Sequence, residues 1–250
     1  MRVDIPFIGE VRRFAAEERA YYPAIIADAI MTLIVFSVFL LLSSNRDGSV
    51  WIGYSLWYLA MSVVGDAAIS ISTDKQWGLW DQVRLRPIGL VSLVAIKTIV
   101  WTLFNAVKVV VVMAIIVLAF RLPIAFSGIV IPIVFVALVG LFGFALILVA
   151  LVLFSTKASS FQGLIGYVLM FLTGAIVPLS SLPQWLASVG RALPLTQGLT
   201  MCREAFAGDP FRADQWIWLC VQSICYVAIG YASFRIVMWR IDKRGARNRY

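Results

Sequence analysis

Six long apolar runs, separated by short polar segments, constrain this sequence more than any other feature. The runs cover residues 23–42, 51–72, 91–120, 129–154, 161–177 and 216–239. A helix of about twenty apolar residues, rising about 1.5 Å per residue, crosses a hydrocarbon core of about 30 Å. The pattern therefore predicts an all-α polytopic membrane protein with six transmembrane helices.

The composition agrees with a membrane protein and leaves little room for a soluble domain. Hydrophobic residues make up 62% of the 250 residues and charged residues 14%, whereas soluble domains have about 45–50% and about 25%. No polar stretch is long enough to bury a core of its own. We therefore expect residues 23–250 to form one six-span domain, preceded by a cytoplasmic helix within residues 1–22.

The net charge of +8 is explained by where the cations lie rather than by nucleic-acid binding. Most of the 21 Lys and Arg residues fall on one side of the six predicted spans. The loops of the other side hold Arg46, Arg121, Arg191, Arg203 and Arg212. Because loops rich in Lys and Arg stay in the cytoplasm, we predict a multi-pass protein of the cytoplasmic membrane, with both termini cytoplasmic and no nucleic-acid partner.

Missing residues and motifs exclude several classes of catalytic chemistry. The chain has no histidine and only three cysteines, which removes His-based triads and His metal sites and leaves no disulfide framework. The phosphate loop Gly-x-x-x-x-Gly-Lys-Ser/Thr is absent, as are Gly-x-Ser-x-Gly and His-Glu-x-x-His. We therefore predict a non-catalytic chain with no metal site, which neither binds ATP through such a loop nor carries a cleavable signal peptide.

Residues 4–22 are predicted to form an amphipathic helix on the membrane surface. Phe7, Val11, Phe14 and Tyr21 recur at helical spacing, and charged residues occupy the other faces. Such a helix lies in the plane of the interface. A partly disordered cytoplasmic tail is the alternative interpretation of this segment.

The polar segment 73–87, between the second and third runs, is too short and too charged to span a bilayer. From Leu79 it has helical spacing, and Pro87 ends the pattern. Apolar residues exposed among charges are typical of a helix that seats in a partner's groove. We interpret the segment as a cytoplasmic docking helix.

Four ionisable residues lie within the predicted spans, where such groups are functional candidates. They are Asp28, Asp66, Lys97 and Lys108. Counted from the ends of their spans, the first three share the inner layer of the membrane and are placed to pair with one another. Lys108 falls near mid-bilayer, and two interpretations remain open for it: an ion pair within the bundle, or a residue that lines a translocation path.

Four aromatic residues open the second predicted span. They are Trp51, Tyr54, Trp57 and Tyr58. Aromatic residues at the end of a span often form a belt at the membrane interface. The other interpretation is a surface on which a sugar or a drug stacks.

Two segments resemble the ABC-2 type permease family, the membrane subunits of one large class of ATP-driven exporters. Residues 78–88, Gly-Leu-Trp-Asp-Gln-Val-Arg-Leu-Arg-Pro-Ile, are similar to that family's coupling stretch Gly-Thr-x-Glu-x-Leu…Ser/Thr-Pro-Leu, although Leu79 replaces Thr and Asp81 replaces Glu. Residues 171–186, Phe-Leu-Thr-Gly-Ala-Ile-Val-Pro-Leu-Ser-Ser-Leu-Pro-Gln-Trp-Leu, resemble its "FLSG…P…LP.WL" signature. Leu-Pro-Leu-Thr at 193–196 continues this second match.

The resemblance implies an assembly and a set of partners. Two permease copies, identical or different, pair within membrane lipids, and each binds an ATP-binding cassette ATPase subunit on the cytoplasmic side. Helix 78–87 sits in a cleft of that ATPase, which binds ATP and Mg. Spans one, two and five flank a central path, and re-entrant helices within 178–213 close it on the extracellular side.

The residues expected in these roles form three sets. The ATPase-coupling set is Trp77, Gly78, Trp80, Asp81, Val83, Arg84, Arg86, Arg12 and Arg13. The substrate-path set is Phe36, Phe39, Tyr54, Trp57, Tyr58, Lys108, Tyr167 and Phe171. The extracellular-gate set is Pro178, Leu182, Pro183, Trp185 and Pro194.

The mostly aliphatic spans favour a permease that exports an amphiphilic small molecule, an antibiotic or a lipid-like substrate. The aromatic residues of span two keep a lipid-linked or capsular polysaccharide open as the alternative. From another class, an ion-coupled secondary transporter would use Asp28, Asp66 and Lys108 for protons, although the two halves show no inverted repeat. A substrate-binding membrane module that serves another transporter is a third hypothesis.

Overall fold

The computed structural model of the chain describes residues 4–20, 22–42, 49–76, 90–120, 128–154, 162–175, 179–210 and 212–247. Its α-helices are α1 (Asp4–Ala20), α2 (Tyr22–Leu42), α3 (Ser49–Gln76), α4 (Leu90–Phe120), α5 (Val130–Phe154), α6 (Gln162–Leu172), α7 (Gln184–Arg191), α8 (Pro194–Ala207) and α9 (Ala213–Arg247). A 3-10 helix, Leu179–Ser181, precedes α7. These residues contain no strand, so the all-α prediction is confirmed for the part of the chain that is described.

Three helices in the described ranges are long and apolar enough to cross a membrane. They are Ala95–Phe120, Val130–Phe154 and Ala213–Arg240, and they correspond to the third, fourth and sixth predicted spans. Shorter apolar helices, Ala29–Val38, Ile52–Gly65 and Gly163–Leu172, lie in the other three. The chain is therefore a helical protein suited to a membrane, and the full count of six spans stays a prediction.

Helices α5 and α9 make the most extensive contact in the fold, because small residues let their backbones approach. A side chain at Gly143 would collide with the backbone of Tyr226, and one at Gly230 would collide with the Gly143 carbonyl. The Ser223 hydroxyl adds a hydrogen bond of 2.9 Å to the Val136 carbonyl. These contacts join the two helices along their length.

Helix α3 lies at the centre of the remaining helices and packs against α2, α4, α5, α6 and α8. Its buried face includes Ala60, Val63 and Val64, which belong to the main core cluster. Lipid tails are as apolar as these side chains, so burying the side chains in the cluster gains little from the hydrophobic effect. Close packing between the helices therefore holds the bundle together.

Helix α1 packs its apolar stripe against α4. Phe14 is buried there, with its ring 4.3 Å from the ring of Trp101 and 4.6 Å from that of Phe104. Phe7 and Val11 pack against the same cluster. The stripe predicted from the sequence is thus present in these three residues, but α4 covers it. Tyr21 lies outside the described residues, and the location of α1 at the membrane surface stays a prediction.

Two predicted helix ends differ from the structure. Helix α6 ends at Leu172 rather than continuing to 177, because Gly174 adopts a left-handed conformation with φ of 72°. Helix α9 continues to Arg247, whereas the sixth apolar run of the sequence ends at residue 239. Helix formation does not require apolar residues, so α9 extends past the end of its hydrophobic run.

Candidate functional site

Most of the predicted ATPase-coupling set lies within 77–89, outside the described residues. This applies to Trp77, Gly78, Trp80, Asp81, Val83, Arg84 and Arg86. Arg12 and Arg13 lie on α1 with exposed side chains, and Arg13 is 4.0 Å from Glu10. An ion pair at this long distance, with the Arg13 side chain in solvent, contributes little to stability. The assignment of this set to ATPase contact stays a prediction.

The aromatic residues of the predicted path form a packed cluster. Phe36, Tyr54, Trp57 and Tyr58 are all buried. The ring of Tyr54 lies 5.3 Å from that of Phe36 and 5.4 Å from that of Trp57, and it is parallel to the ring of Tyr58 at 6.4 Å. Positions 54, 57 and 58 share one face of α3 because they are three or four residues apart.

Hydrogen bonds tie this aromatic cluster to two neighbouring helices. The Tyr54 hydroxyl donates to the Thr32 carbonyl of α2 at 3.1 Å, and the Trp57 indole N–H donates to the Gly166 carbonyl of α6 at 2.9 Å. Buried Tyr and Trp residues usually need such partners for their polar ends. The cluster therefore joins α2, α3 and α6, and within this chain its rings offer no open face for stacking.

Two other residues of the predicted path lie on an open face of α6. Tyr167 is 57% exposed and Phe171 is 48% exposed, one helical turn apart. Leu164 and Val168 are exposed on the same helix. The face is thus apolar and uncovered by the described part of the chain. Phe39 belongs to α2, but its side chain is not described.

Lys108 lies on α4 with its side chain partly buried, one turn from Asn105, which is 2% exposed. The side-chain amide nitrogen of Asn105 has no hydrogen-bond partner among the described residues. Lys97 is buried near the start of the same helix. The side chains of Asp28 and Asp66 are not described, so the proposed pairing in an inner layer stays a prediction.

Three short helical segments follow α6, and two of the five predicted gate residues, Trp185 and Pro194, lie within them. Pro183 is exposed and immediately precedes α7, in which Trp185 is 69% exposed. Leu182 is partly buried. Pro194 is buried at the start of α8, where its fixed φ suits a first helical position, and Pro178 lies outside the described residues.

Helix α8 is inserted into the bundle. Leu195, Leu199 and Cys202 are buried in the main core cluster, and a side chain at Gly198 would collide with Ala137 of α5. Burial raises the pKa of the Cys202 thiol to about 12, so this cysteine is protonated at neutral pH and reacts slowly while α8 stays in the bundle. The helix ends at Gly208, which is left-handed with φ of 80°.

Arg203 of α8 joins three elements and was not singled out in the sequence. Its guanidinium donates to the Gly174 carbonyl at 3.0 Å and to the Ala175 carbonyl at 2.9 Å, just beyond the end of α6. A side chain at Gly53 of α3 would collide with both the Ala175 carbonyl and this guanidinium. Burial lowers the pKa of Arg203, but an arginine remains charged. The signal in the sequence that could have identified Arg203 was a single cation within a largely apolar segment.

A second connection missed by the sequence joins α9 to α7. The Gln222 side-chain amide donates to the Arg191 carbonyl at 2.8 Å. Its amide oxygen is buried and has no partner within the described chain. Since Arg191 is the last residue of α7, this bond satisfies one of the free carbonyls of that helix end.

A cavity of about 280 Å³ opens where α5 begins, α8 ends and α9 begins. Ile133, Met201 and Trp216 form part of its apolar wall, and Glu204 and Asp209 lie among its polar residues. Glu204 already accepts a hydrogen bond of 3.2 Å from the Gln215 side chain. The cavity is separate from the aromatic cluster of α3.

The comparisons with known proteins fit these features. A family model described as ABC-2 type transporter matches residues 7–207, which takes in α1 through α8 and both segments of the resemblance noted in the sequence. A search of curated proteins found no match. Because the family model covers well over half of the chain, the chain belongs to the ABC-2 type transporter family and is a membrane component of an ABC transporter, which associates with an ABC ATPase.

Proposed function

We propose that the chain is the permease subunit of an ABC exporter that moves an amphiphilic small molecule, an antibiotic or a lipid-like substrate out of the cytoplasm. ATP is hydrolysed by a separate ABC ATPase. The observation that carries this proposal is the open apolar face of α6, on which Tyr167 and Phe171 are exposed. A second permease copy, identical or related, covers this face across the path.

The length of α6 supports its place beside the path. Its 11 residues span about 16 Å, roughly half of a hydrocarbon core of about 30 Å. Non-helical backbone at membrane depth is tolerated where it is buried in protein or lines a cavity. The turn after Leu172 and the three short helices that follow therefore suit re-entrant segments that close the extracellular end of a path.

The apolar surfaces favour an amphiphile over a glycan. Helix α2 exposes Ile26, Ile30 and Ile34 on one side, and α6 exposes Leu164 and Val168 beside its two aromatic residues, so both surfaces are mainly apolar. A glycan that stacks on the aromatic cluster of α3 would need open ring faces there, whereas the rings of Tyr54, Trp57 and Tyr58 are buried within the chain. That form of the polysaccharide alternative would require the cluster to open.

The test uses the permease with its cognate ABC ATPase in lipid discs, and measures ATP hydrolysis with added substrates. We expect a single-chain cationic amphiphile to raise hydrolysis at least about twofold, and a neutral oligosaccharide to have no effect. The double variant Tyr167→Ala/Phe171→Ala should lose most of that increase. Phe135→Ala is the matched control, because Phe135 is an exposed aromatic residue on α5, away from the proposed path.

Other outcomes of this test would support a different function or would remove α6 from the path. Stimulation by the oligosaccharide alone would support the polysaccharide permease. Proton-driven uptake or efflux without the ATPase, lost in Asp28→Asn or Asp66→Asn, would support the secondary transporter. Equal loss of stimulation in the α6 double variant and in Phe135→Ala would remove α6 from the path.

A further inference from the structure

The end of α6 presents a structural problem that Arg203 solves. A helix leaves its last carbonyls without intrahelical partners, and α6 ends after 11 residues at a turn in which Thr173, Gly174 and Ala175 are all buried. Backbone carbonyls buried without water need another donor. The two guanidinium nitrogens of Arg203 supply one hydrogen bond to each of two consecutive carbonyls in this turn.

The arginine also suits this location electrostatically. The carboxyl-terminal end of a helix has a partial negative charge, so a cation there is stabilising. The planar guanidinium can donate two hydrogen bonds in a fixed geometry, which a lysine cannot reproduce. Arg203 therefore acts as a clamp between the end of α6 and α8.

The third side of this clamp is α3. The Ala175 carbonyl and the guanidinium lie so close to the backbone of Gly53 that no side chain fits at this position. Helix α3 also carries the aromatic cluster, through Tyr54 next in the sequence. Helix α3, the end of α6 and helix α8 thus meet at one side chain.

We propose that Arg203 is a positioning residue that holds α8 against the end of α6 and across Gly53, and so keeps the extracellular end of the path closed between transport cycles. This inference rests on the proposed function, because closing an outlet matters only in an exporter. Arg203 touches backbone, not substrate, so its effect on transport is indirect.

The labelling rate of the Cys202 thiol can be used to measure this closure. Cys202 is adjacent to Arg203 on α8, 1% exposed and unpaired as a thiol. The other two cysteines, Cys220 and Cys225, lie on α9 and can be replaced by Ser. In that background a charged maleimide is applied to the permease–ATPase complex in lipid discs without nucleotide or substrate. Its attachment to the permease chain, measured separately from any attachment to the ATPase, then reports on α8.

We expect Arg203→Ala to raise the labelling rate of Cys202 about tenfold or more, because the clamp's two charge-assisted hydrogen bonds are lost. Arg203→Lys, which keeps the charge but not the paired geometry, should fall between this variant and the parent. Arg191→Ala is the matched control, since it removes one exposed cation from α7 of the same outer segment and should stay within about twofold of the parent.

Gly53→Ala tests the same junction from the opposite side. Its added methyl group should displace the Ala175 carbonyl or the guanidinium and raise labelling as well. The double variant Arg203→Ala/Gly53→Ala should label no faster than the faster single variant, because both changes open one junction. If the increase in labelling rate of the double variant equalled the product of the two single increases, the changes would loosen the fold independently, and the inference would be overturned.

Labelling of an assembled Arg203→Ala complex at the parent rate would also overturn it. If Arg203→Ala fails to assemble with the ATPase, Gly53→Ala decides: faster labelling supports the clamp, and the parent rate rejects it. In assembled variants, hydrolysis should persist while net export falls. A failure of the exporter proposal is distinguishable, since it appears in the parent complex as hydrolysis that no amphiphile stimulates.

Discussion

Helices α5 and α9 bury their apolar surfaces against each other, whereas α2 and α6 leave part of their apolar surfaces exposed. Between α5 and α9, glycines bring backbone against backbone, with Gly143 next to Tyr226 and Gly230. Helices α2 and α6 are hydrogen-bonded to α3 through Tyr54 and Trp57, and each leaves an apolar face open. A well-packed pair has a single arrangement, whereas an open face is available to lipid, a substrate or a second copy.

The largest expected effect tests the tight pair. Gly143→Ala should lower stability by about 1–3 kcal/mol or more, because its methyl group collides with the α9 backbone rather than with a flexible side chain. The measurement is the Tm of the purified complex in detergent. Gly163→Ala on α6 is the control, since nothing lies within 4 Å of the added carbon, and it should be neutral or slightly stabilising. Equal Tm values for both variants would remove the contrast between the two pairs.

A smaller effect is expected where α2 meets α3. Tyr54→Phe keeps the packed ring and removes the hydroxyl that donates to the Thr32 carbonyl, so it should cost about 0.5–1.5 kcal/mol. Tyr167→Phe removes an exposed hydroxyl and should leave Tm unchanged. If Tyr54→Phe instead left Tm unchanged and altered amphiphile-stimulated hydrolysis, the cluster would belong to the path rather than to the helix packing.

The smallest effect is expected at the exposed start of α9. A hydrogen bond from Arg212 lowers the pKa of Asp214 below its ordinary value of 3.8, and the two side chains are 3.0 Å apart. The pair therefore stabilises the folded protein at pH values above the ordinary pKa of Asp214, and this stabilisation is lost as the pH falls through the lowered pKa of Asp214. Asp214→Asn should therefore differ slightly from the parent in Tm at pH 7, and the difference should vanish in acid. A difference that grows in acid would contradict this.

Features with a regular period could be predicted from the sequence. The long apolar runs indicated the helices of the bundle, and the spacing of Phe7, Val11 and Phe14 indicated the face of α1 that packs against α4. The order and spacing of residues 78–88 and 171–186 indicated the family. These signals are local, so one sequence contains them in full.

Features that depend on a single backbone angle or on a distant partner could not be predicted. The apolar run of span five continues past Gly174, and hydropathy does not register that this residue is left-handed. The carbonyls bound by Arg203 lie 28 and 29 residues away in the chain. The sequence showed aromatic residues at the start of span two, but not that α2 and α6 would cover Tyr54, Trp57 and Tyr58.

The unbroken length of α9 has a mechanical consequence. Its 35 residues measure about 50 Å at about 1.5 Å per residue, so it is one rod that is held to α7 through Gln222 and to α5 through Ser223. From Gln222 to its last residue, Arg247, the rod extends by about 37 Å. Because the helix is unbroken, a tilt of a few degrees about Gln222, with α5 moving alongside, would displace its basic end by a few ångströms.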